Sequence, residues 1–406
     1  YGGVITSAAA YGLTLGSATN SGTLVLSGSN TYSGGTTIVA GALNVSNVNA
    51  LGGASNAISI NGTGSLLLGF SLSNNLTIAG SGVGSSGAIQ TTTNPVTLSG
   101  NISLSGDALI THSGDLTISG GIDGNYGLTL SSTGTGNLVL SGAVGANTNL
   151  ASLTTTRTGT QSLTLSGGSI STAGLQNYAH DVLLDSATSL TTSNGAVSVS
   201  GTLDSANSTA RSISVSAGTG VVTFSGAVGS LHPLDSLSIT STGGINLNTA
   251  VNTSGAQTYT GPVVLQSAVT LNSNASGSAN GNISLSSTLN SVAGHNYGLT
   301  VTAGTGSVTF TGAVGGTTPL GAVSISAGGL TTGSTFTVAT NSNLSITTNS
   351  LSLGGNVKAA ASGGTGVLTI APLTASTQIN LGSGASNTGI ALTDAQLGYL
   401  SASGGY

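Results

Sequence analysis

Carboxylates and imidazoles are the side chains of this sequence that could do chemistry, and they are few and scattered. The chain has eight Asp, no Glu, four His and only three basic residues, which are Arg157, Arg211 and Lys358. Secreted polysaccharide lyases and hydrolases work with clustered carboxylates. The closest pair here is Asp181 and Asp185, which on one strand would share a face about 13 Å apart. That separation is too large for a paired-carboxylate mechanism, so we predict no catalytic residue and no enzyme.

The Asp residues have a structural interpretation instead. Most of them adjoin Gly, Ser or Asn, which predicts turn positions where the carboxylate accepts a hydrogen bond from its own backbone. The eight are Asp107, Asp115, Asp123, Asp181, Asp185, Asp204, Asp235 and Asp394.

Metal and cofactor sites are not predicted either. His112, His180, His232 and His295 occur singly, without the spacing of metal ligands, and the chain has no Cys. The Gly-rich turns lack the Lys and the strand-to-helix context of a phosphate-binding loop. We expect no metal-binding residue, no cofactor-binding residue and no cofactor.

Composition narrows the class of protein. The chain has 406 residues, 67 of them Gly, a hydrophobic fraction of 37% and a net charge of −5. This fraction is too high for a disordered linker. Clustered Lys and Arg are absent, so nucleic acid is not an expected partner. No run of 18 apolar residues occurs, so no membrane span is expected.

Short runs of alternating residues recur along the whole chain. Examples are GTLVLSG, SLTLSGG, AVSVSG and GLTVTAG, in which Leu, Val or Ile stand two apart with Ser or Thr between them. This is the period of a half-buried strand, and Gly, Asn and Ser separate the runs as turn residues do. The chain is therefore predicted to be almost entirely β.

Three stretches of the sequence repeat one another, and their spacing distinguishes a solenoid from a sandwich or a barrel. The strings NLVLSGAVGANTNLASLTTT, VVTFSGAVGSLHPLDSLSIT and SVTFTGAVGGTTPLGAVSIS place Gly142, Gly226 and Gly312 at nearly equal spacings, about 84 and about 86 residues. A sandwich or barrel would also give many short strands, but a fixed period indicates a solenoid. We predict a parallel β-helix, a single elongated rod of about 20 coils at about 20 residues per coil.

The domain prediction follows from the same repeats. Residues 1–406 are expected to form one continuous β-solenoid, with tandem units of about 84 residues over 121–330 and irregular terminal coils over 331–406. Leu140, Phe224 and Phe310 are expected in equivalent inward positions. The segment Thr393-Asp394-Ala395-Gln396 reads as a capping box, which predicts a short helical turn near 393–399.

The segment GTLVLSGSNTYSGGTTIVAGALNVSNVNALG, residues 22–52, resembles the autotransporter-associated β-strand repeat. Its features are a Leu-x-Leu-x-Gly strand, then Asn30-Thr31-Tyr32 with Gly34-Gly35, a second strand, and a final Ala50-Leu51-Gly52. The tandem units over 121–330 resemble repeats of giant filamentous-haemagglutinin-like exoproteins, through Gly-Ala-Val-Gly, Pro-Leu and a Gln-x-Tyr coil. ALTDAQLGYLSA, residues 391–402, is similar to a spacer of the same exoproteins.

The resemblance implies a right-handed parallel β-helix, secretion to the bacterial cell surface or beyond, and a role in adhesion or matrix. The leading hypothesis is a structural extracellular segment of a surface fibre or matrix component that assembles end to end, or that continues in a longer polypeptide. The alternative is an adhesin rod that presents a binding tip, with surface glycans of a host or neighbouring cell as partners. A carbohydrate-active β-helix enzyme is a remote third hypothesis.

Overall fold

The structure is a computed structural model that describes residues 1–7, 9–17, 21–92, 95–277, 280–359, 364–383 and 389–401. The chain divides into two compact units, Tyr1–Gly201 and Thr202–Tyr406, here called unit 1 and unit 2. Residue 402, at the end of the predicted spacer segment, lies outside the described residues.

Unit 1 consists of short strands and a single-turn 3₁₀ helix, Val83–Ser85. Its strands are β1 Leu13–Leu15, β2 Thr23–Leu26, β3 Thr36–Val45, β4 Ile58–Leu68, β5 Leu76–Gly80, β6 Ile89–Thr91, β7 Val96–Leu98, β8 Ile102–His112, β9 Leu116–Ile118, β10 Ile122–Asp123, β11 Gly127–Ser132, β12 Leu138–Leu140, β13 Ser152–Arg157, β14 Ser162–Leu165, β15 Ser169–Thr172, β16 Gln176–Tyr178, β17 Asp181–Leu184, β18 Thr188–Thr192 and β19 Val197–Val199.

Unit 2 has the same character and contains one short α-helix, α1 Asp394–Leu397, which begins with a capping box between Thr393 and Gln396. Its strands are β20 Leu203–Ser205, β21 Ile213–Ser216, β22 Val222–Phe224, β23 Leu237–Thr240, β24 Ile245–Leu247, β25 Val251–Asn252, β26 Gln257–Thr260, β27 Val263–Leu265, β28 Val269–Asn272, β29 Ile283–Leu285, β30 Leu289–Ser291, β31 Leu299–Thr302, β32 Ser307–Phe310, β33 Val323–Thr332, β34 Phe336–Thr337, β35 Leu344–Leu353, β36 Val357–Lys358, β37 Leu368–Pro372, β38 Ile379–Leu381, β39 Ile390–Leu392 and β40 Leu400–Ser401.

Successive coils pair through parallel strands, which confirms the predicted all-β parallel solenoid. In unit 1, Leu128 pairs with Leu153 in the next coil, and Leu153 pairs with Gln176 in the coil after that. In unit 2, Val222 pairs with Ile245, and Ile245 pairs with Val263. Every coil thus supplies the backbone partners of the next one, as a solenoid requires.

The predicted number of coils was too high, because the two units together contain about 16 turns. The register shows where the difference arises. Leu128 pairs with Leu153, and Val263 pairs with Leu289, so many coils are longer than the expected length of about 20 residues. The turns between strands hold the additional residues, and fewer coils therefore fit into the same chain.

Side chains alternate between the interior and the surface, as the sequence predicted. In β21, Ile213 and Val215 are 2% and 1% exposed, whereas Ser214 and Ser216 point outward. Stacked Leu, Ile and Val side chains fill the interior of both units. Each such side chain contributes about 1.5–3 kcal/mol when it is fully buried.

The sequence repeat is longer than three turns of the solenoid and shorter than four. From Phe224, the ladder in unit 2 runs through Leu247 and Leu265 to Ser291, which is three turns on. The next copy of the repeat places Phe310 after Ser291 but before the fourth turn is complete. The fourth turn ends at Val314, which pairs with Leu289 of the turn before.

The expected equivalence of the repeats is therefore only partly correct. Leu140, Phe224 and Phe310 all face inward and are 2%, 1% and 1% exposed. However, Phe310 pairs with Leu285 and Thr332, in a ladder different from that of Phe224. Successive copies in unit 2 lie on different faces, because every face accepts the same alternation of apolar and polar residues.

The Gly-Ala-Val-Gly turn keeps one local geometry wherever it occurs. Its second glycine is Gly145, Gly229 or Gly315, with φ of 71°, 64° and 65°. A Cβ at Gly229 would collide with the carbonyl oxygen of Asn252 in the next coil, and the other two glycines are equally confined. Both the left-handed backbone and the close approach of the next coil require glycine here.

We expect Gly229→Ala to destabilise unit 2 by about 1–3 kcal/mol, because the alanine adds backbone strain and a steric clash with Asn252. Urea unfolding followed by circular dichroism measures this loss. Gly294→Ala is the matched control, because Gly294 also has a positive φ, 81°, but a Cβ there would meet no atom within 4 Å. An equal loss in both variants would show that the close approach of the coils does not restrict Gly229.

Candidate functional site

The aspartates join neighbouring coils. Asp107 Oδ1 accepts a hydrogen bond of 2.8 Å from the backbone N–H of Gly127, and Asp115 Oδ1 accepts one of 2.7 Å from Asn137. Each donor lies about one coil further along the chain. The expectation that these carboxylates bind their own backbone was therefore wrong, because the stacked coil brings a backbone N–H within reach that the sequence does not place nearby.

One such acceptor supports each copy of the Gly-Ala-Val-Gly turn. Asp123 Oδ1 accepts from the backbone N–H groups of Asn147 and Thr148 at 2.8 and 3.1 Å. In the later copies Asp204 accepts from Leu231 at 2.8 Å, and Asn290 accepts from Thr317 at 3.0 Å. Because Asn replaces Asp in the third copy, the turn requires a side-chain oxygen and not a charge.

These acceptor positions were missed in the sequence. Their signal is an Asp or Asn that stands about one coil before each Gly-Ala-Val-Gly turn. The signal is visible only when the length of the coil is known, because the acceptor and the turn lie in different sequence runs.

Asp181 and Asp185 each have a side-chain partner of their own. Asp181 makes an ion pair with Arg157 at 2.8 Å, and its second oxygen accepts from the same guanidinium at 3.2 Å. Asp185 accepts a hydrogen bond of 3.3 Å from the hydroxyl of Ser166. The two carboxylates have separate structural partners.

Two histidines that are far apart in sequence meet in the interior of unit 1. The Nε2 atoms of His112 and His180 lie 2.7 and 2.8 Å from one atom, the Oγ of Ser132. His112 Nδ1 is 2.9 Å from the carbonyl oxygen of Gly114, and His180 Nδ1 is 3.0 Å from Thr155 Oγ1. We call His112, Ser132, His180 and Thr155 the histidine cluster. Its four side chains are at most 1% exposed.

The partners of the histidine cluster assign its protons. The Gly114 carbonyl can only accept, so His112 Nδ1 carries a hydrogen and, in the neutral ring, His112 Nε2 accepts from Ser132. Ser132 has a single hydrogen, so it accepts from His180 Nε2–H, and His180 Nδ1 then accepts from Thr155. With both rings neutral, every hydrogen bond of this chain has one donor and one acceptor.

Electrostatics favour the neutral rings. Burial lowers the pKa of His180 to about 4, and the positive charges of Arg157 and His112 add to this lowering, while Asp181 opposes it. Burial also lowers the pKa of His112, against the hydrogen bond to Gly114 and the attraction of Asp115.

A second polar network occurs in the two Gln-x-Tyr coils. Tyr259 donates to Gln257 Oε1 at 2.9 Å, and Gln257 Nε2 donates to the carbonyl oxygen of Asn272 at 3.0 Å. Gln176 and Tyr178 make the same contact in unit 1, at 3.0 Å. All four side chains are completely buried, and burial raises the pKa of both tyrosines. The Gln-x-Tyr pattern therefore has a structural role.

The surface of unit 1 carries a groove of about 540 Å³ that crosses several coils. It is lined by Gly80, Ser81, Asp107, Ala108, Leu109, Gly127, Thr129, Ala151 and Ser152. Asp107 is the carboxylate in this lining, and it already accepts from Gly127. The groove therefore offers a ligand apolar side chains such as Leu109, a few hydroxyl and backbone groups, and the Asp107 carboxylate.

Metal-binding groups and membrane-spanning helices do not occur in the described part of the chain. Within these ranges, no three or more His, Cys, Asp or Glu side chains come together as a metal-binding group would. Among the described helices, none combines the length and apolar character needed to cross a membrane.

The segment that resembles an autotransporter repeat is held together by buried polar side chains. Asn30 donates 2.6 Å to the Ala50 carbonyl oxygen, and its own Oδ1 accepts 2.8 Å from Ile5 N–H. The Tyr32 hydroxyl lies 2.7 Å from Thr36 Oγ1. Burial raises the pKa of Tyr32, and the hydrogen bond to Thr36 opposes this. The Asn-Thr-Tyr motif thus joins three consecutive coils.

Comparison with known protein families supports the predicted autotransporter-type repeat in this segment. The family model of the passenger-associated transport repeat matches residues 18–45. No curated protein and no solved structure matches the chain. The repeat and the parallel solenoid together fit an autotransporter passenger-like β-helix.

We expect Asp123→Asn to leave the turn after Gly145 protected, and Asp123→Ala to open it. The amide keeps an oxygen for the Asn147 and Thr148 N–H groups, whereas Ala removes a hydrogen-bond acceptor with a cost of about 1 kcal/mol. Hydrogen exchange of peptides that cover 145–150 measures the opening. If Asn and Ala gave equal exchange rates, the turn would not depend on the side-chain oxygen.

Proposed function

We propose that this chain is a non-enzymatic structural segment of an extracellular or cell-surface bacterial fibre or matrix component, and that it associates lengthwise with further coils. The observation that carries the proposal is the passenger-associated transport repeat within a parallel solenoid. The more specific likeness to filamentous-haemagglutinin-like exoproteins stays a prediction from the tandem units over 121–330.

The outer surface supports association. Charged side chains usually protect exposed sheet edges from unwanted pairing, and this chain has only 11 of them. One outward column of unit 2 carries a hydroxyl in seven paired strands without interruption: Ser214, Ser238, Thr258, Ser284, Thr309, Thr331 and Ser352. Such a surface offers little electrostatic repulsion to a neighbouring copy.

The first described coils of unit 1 supply the surface for lengthwise contact. Tyr1, Val4 and Tyr11 are 65%, 55% and 71% exposed, in contrast to the closed interior of later coils. Among the described strands, β1 and β2 pair only with β3, and such an edge strand is a template for a further strand. The proposal is the same whether the covering coil comes from the same polypeptide or from a second copy.

An adhesin rod is the second candidate function, and the groove of unit 1 favours it. Its hydroxyls and the Asp107 carboxylate can hydrogen-bond the hydroxyl groups of a sugar, and Tyr126, which precedes the groove residue Gly127, is 38% exposed. A glycan array that compares the chain with Tyr126→Ala separates this role from a purely structural one. Loss of a bound glycan in the variant supports the adhesin, and the absence of any bound glycan contradicts it.

The lengthwise association is tested with the purified chain of 406 residues. We expect oligomers whose size grows with concentration in light scattering, and filaments in electron micrographs. The double variant Val4→Lys with Tyr11→Lys is expected to lower the oligomer size, because charge opposes the pairing of edges. The double variant Leu231→Lys with Leu175→Lys is the matched control, because these side chains are 72% and 41% exposed and lie outside the first coils. A monodisperse monomer, or equal effects of the two changes, would contradict the proposal.

A further inference from the structure

We propose that the histidine cluster of unit 1 is an acid-sensitive latch, which holds neighbouring coils together at neutral pH and releases them on acidification. The cluster joins several coils. His112 pairs across its ladder with Ser132, and Ser132 pairs with Arg157. Thr155 pairs with Tyr178 one coil further on, and His180 follows Tyr178 by two residues. The four side chains therefore link strands β8, β11 and β13 to the residues after β16.

The hydrogen-bond chain has no place for an additional proton. If His112 takes one, its Nε2 becomes a donor, and Ser132 keeps an acceptor for its own hydrogen only if His180 changes tautomer, which turns His180 Nδ1 into a donor toward Thr155. If His180 takes one, its Nδ1 donates toward Thr155, which must give up its role as donor. A buried hydroxyl that loses its acceptor is unfavourable, and the buried charge adds to this cost.

Charged and titratable groups face the cluster from several elements. Arg157 on β13 opposes a positive ring, and His112 opposes protonation of His180. Asp181 on β17 favours protonation but is paired with Arg157, and Asp115 before β9 favours protonation of His112. On β16, Tyr178 pairs with Thr155 of the cluster, and its hydroxyl donates a hydrogen bond to Gln176. Burial outweighs the two carboxylates, since both histidine pKa values lie below their usual 6.5.

The direction of the pH effect follows from these shifts. The folded pKa is lowered, so below pH 6.5 the unfolded coils bind more protons than the folded ones, and the stability of unit 1 falls as the pH falls. For His180 the loss extends from about pH 6.5 down to about 4. The neighbouring position of the ladder adds no side-chain bond, because the buried Thr91 hydroxyl, in register with His112, has no hydrogen-bond partner among the described residues.

Hydrogen exchange with mass spectrometry at pH 7 and pH 4.5 tests the latch on the whole chain. After correction for the intrinsic pH dependence of exchange, we expect peptides that cover 108–112, 128–132 and 153–157 to open on the order of ten-fold more at pH 4.5. His180→Gln is expected to reduce this difference. His295→Gln in unit 2 is expected to leave it unchanged, because that exposed ring stacks on Tyr297 at 5.1 Å. Equal acid responses in the two variants would overturn the proposal.

A second measurement decides the matter if His180→Gln does not fold. Nuclear magnetic resonance of the imidazole nitrogens in the unaltered chain follows the protonation of His112 and His180 directly. The latch requires that the rings gain protons together with the loss of amide protection in unit 1. Rings that become protonated while the amides stay protected would show that the cluster accommodates the charge, and the proposal would be wrong.

Discussion

The parallel backbone ladder between successive coils is the interaction on which the rest of the structure depends. It sets which side chains face inward, and it places residues that are one coil apart directly beside one another, as at Ile245 with Val263 and Val263 with Leu289. Most polar side chains discussed above act through this ladder. They form hydrogen bonds with backbone N–H and carbonyl groups at the turns, where the ladder itself provides no partner.

Because the coils are joined by this backbone ladder, the chain needs few charged side chains to hold neighbouring coils together. A carboxylate or amide oxygen at the end of a strand finds the N–H of the next coil, so Asp and Asn serve the same purpose at Asp123 and Asn290. Buried networks such as Gln257 with Tyr259 supply the remaining polar contacts of the interior. The Gln257–Tyr259 network carries no charge, and with only 11 charged side chains in the sequence, association with further coils would meet little electrostatic opposition.

The sequence predicted the strands, the parallel solenoid and the inward positions of Leu140, Phe224 and Phe310, because a period of two residues is a local property. It could not predict how many residues each turn holds, and that number decides which side chains meet. The long stretch between His112 and His180 gives no sign that Ser132 lies between their rings. For the same reason the aspartates were assigned to their own turns, although partners such as Gly127 and Asn137 lie one coil away.

The mismatch between the sequence repeat and the coil has a consequence for how such a chain can lengthen. In unit 2, Phe224 and Phe310 are counterparts in sequence, yet they belong to different sheets. A gene segment copied in tandem therefore does not need to encode a whole number of turns. It needs only to end between two strands, because each sheet presents apolar residues inward and hydroxyls outward. A solenoid whose faces differed chemically could lengthen only by whole turns, because each copy would have to return to its own face. This chain can lengthen by duplication without that restriction.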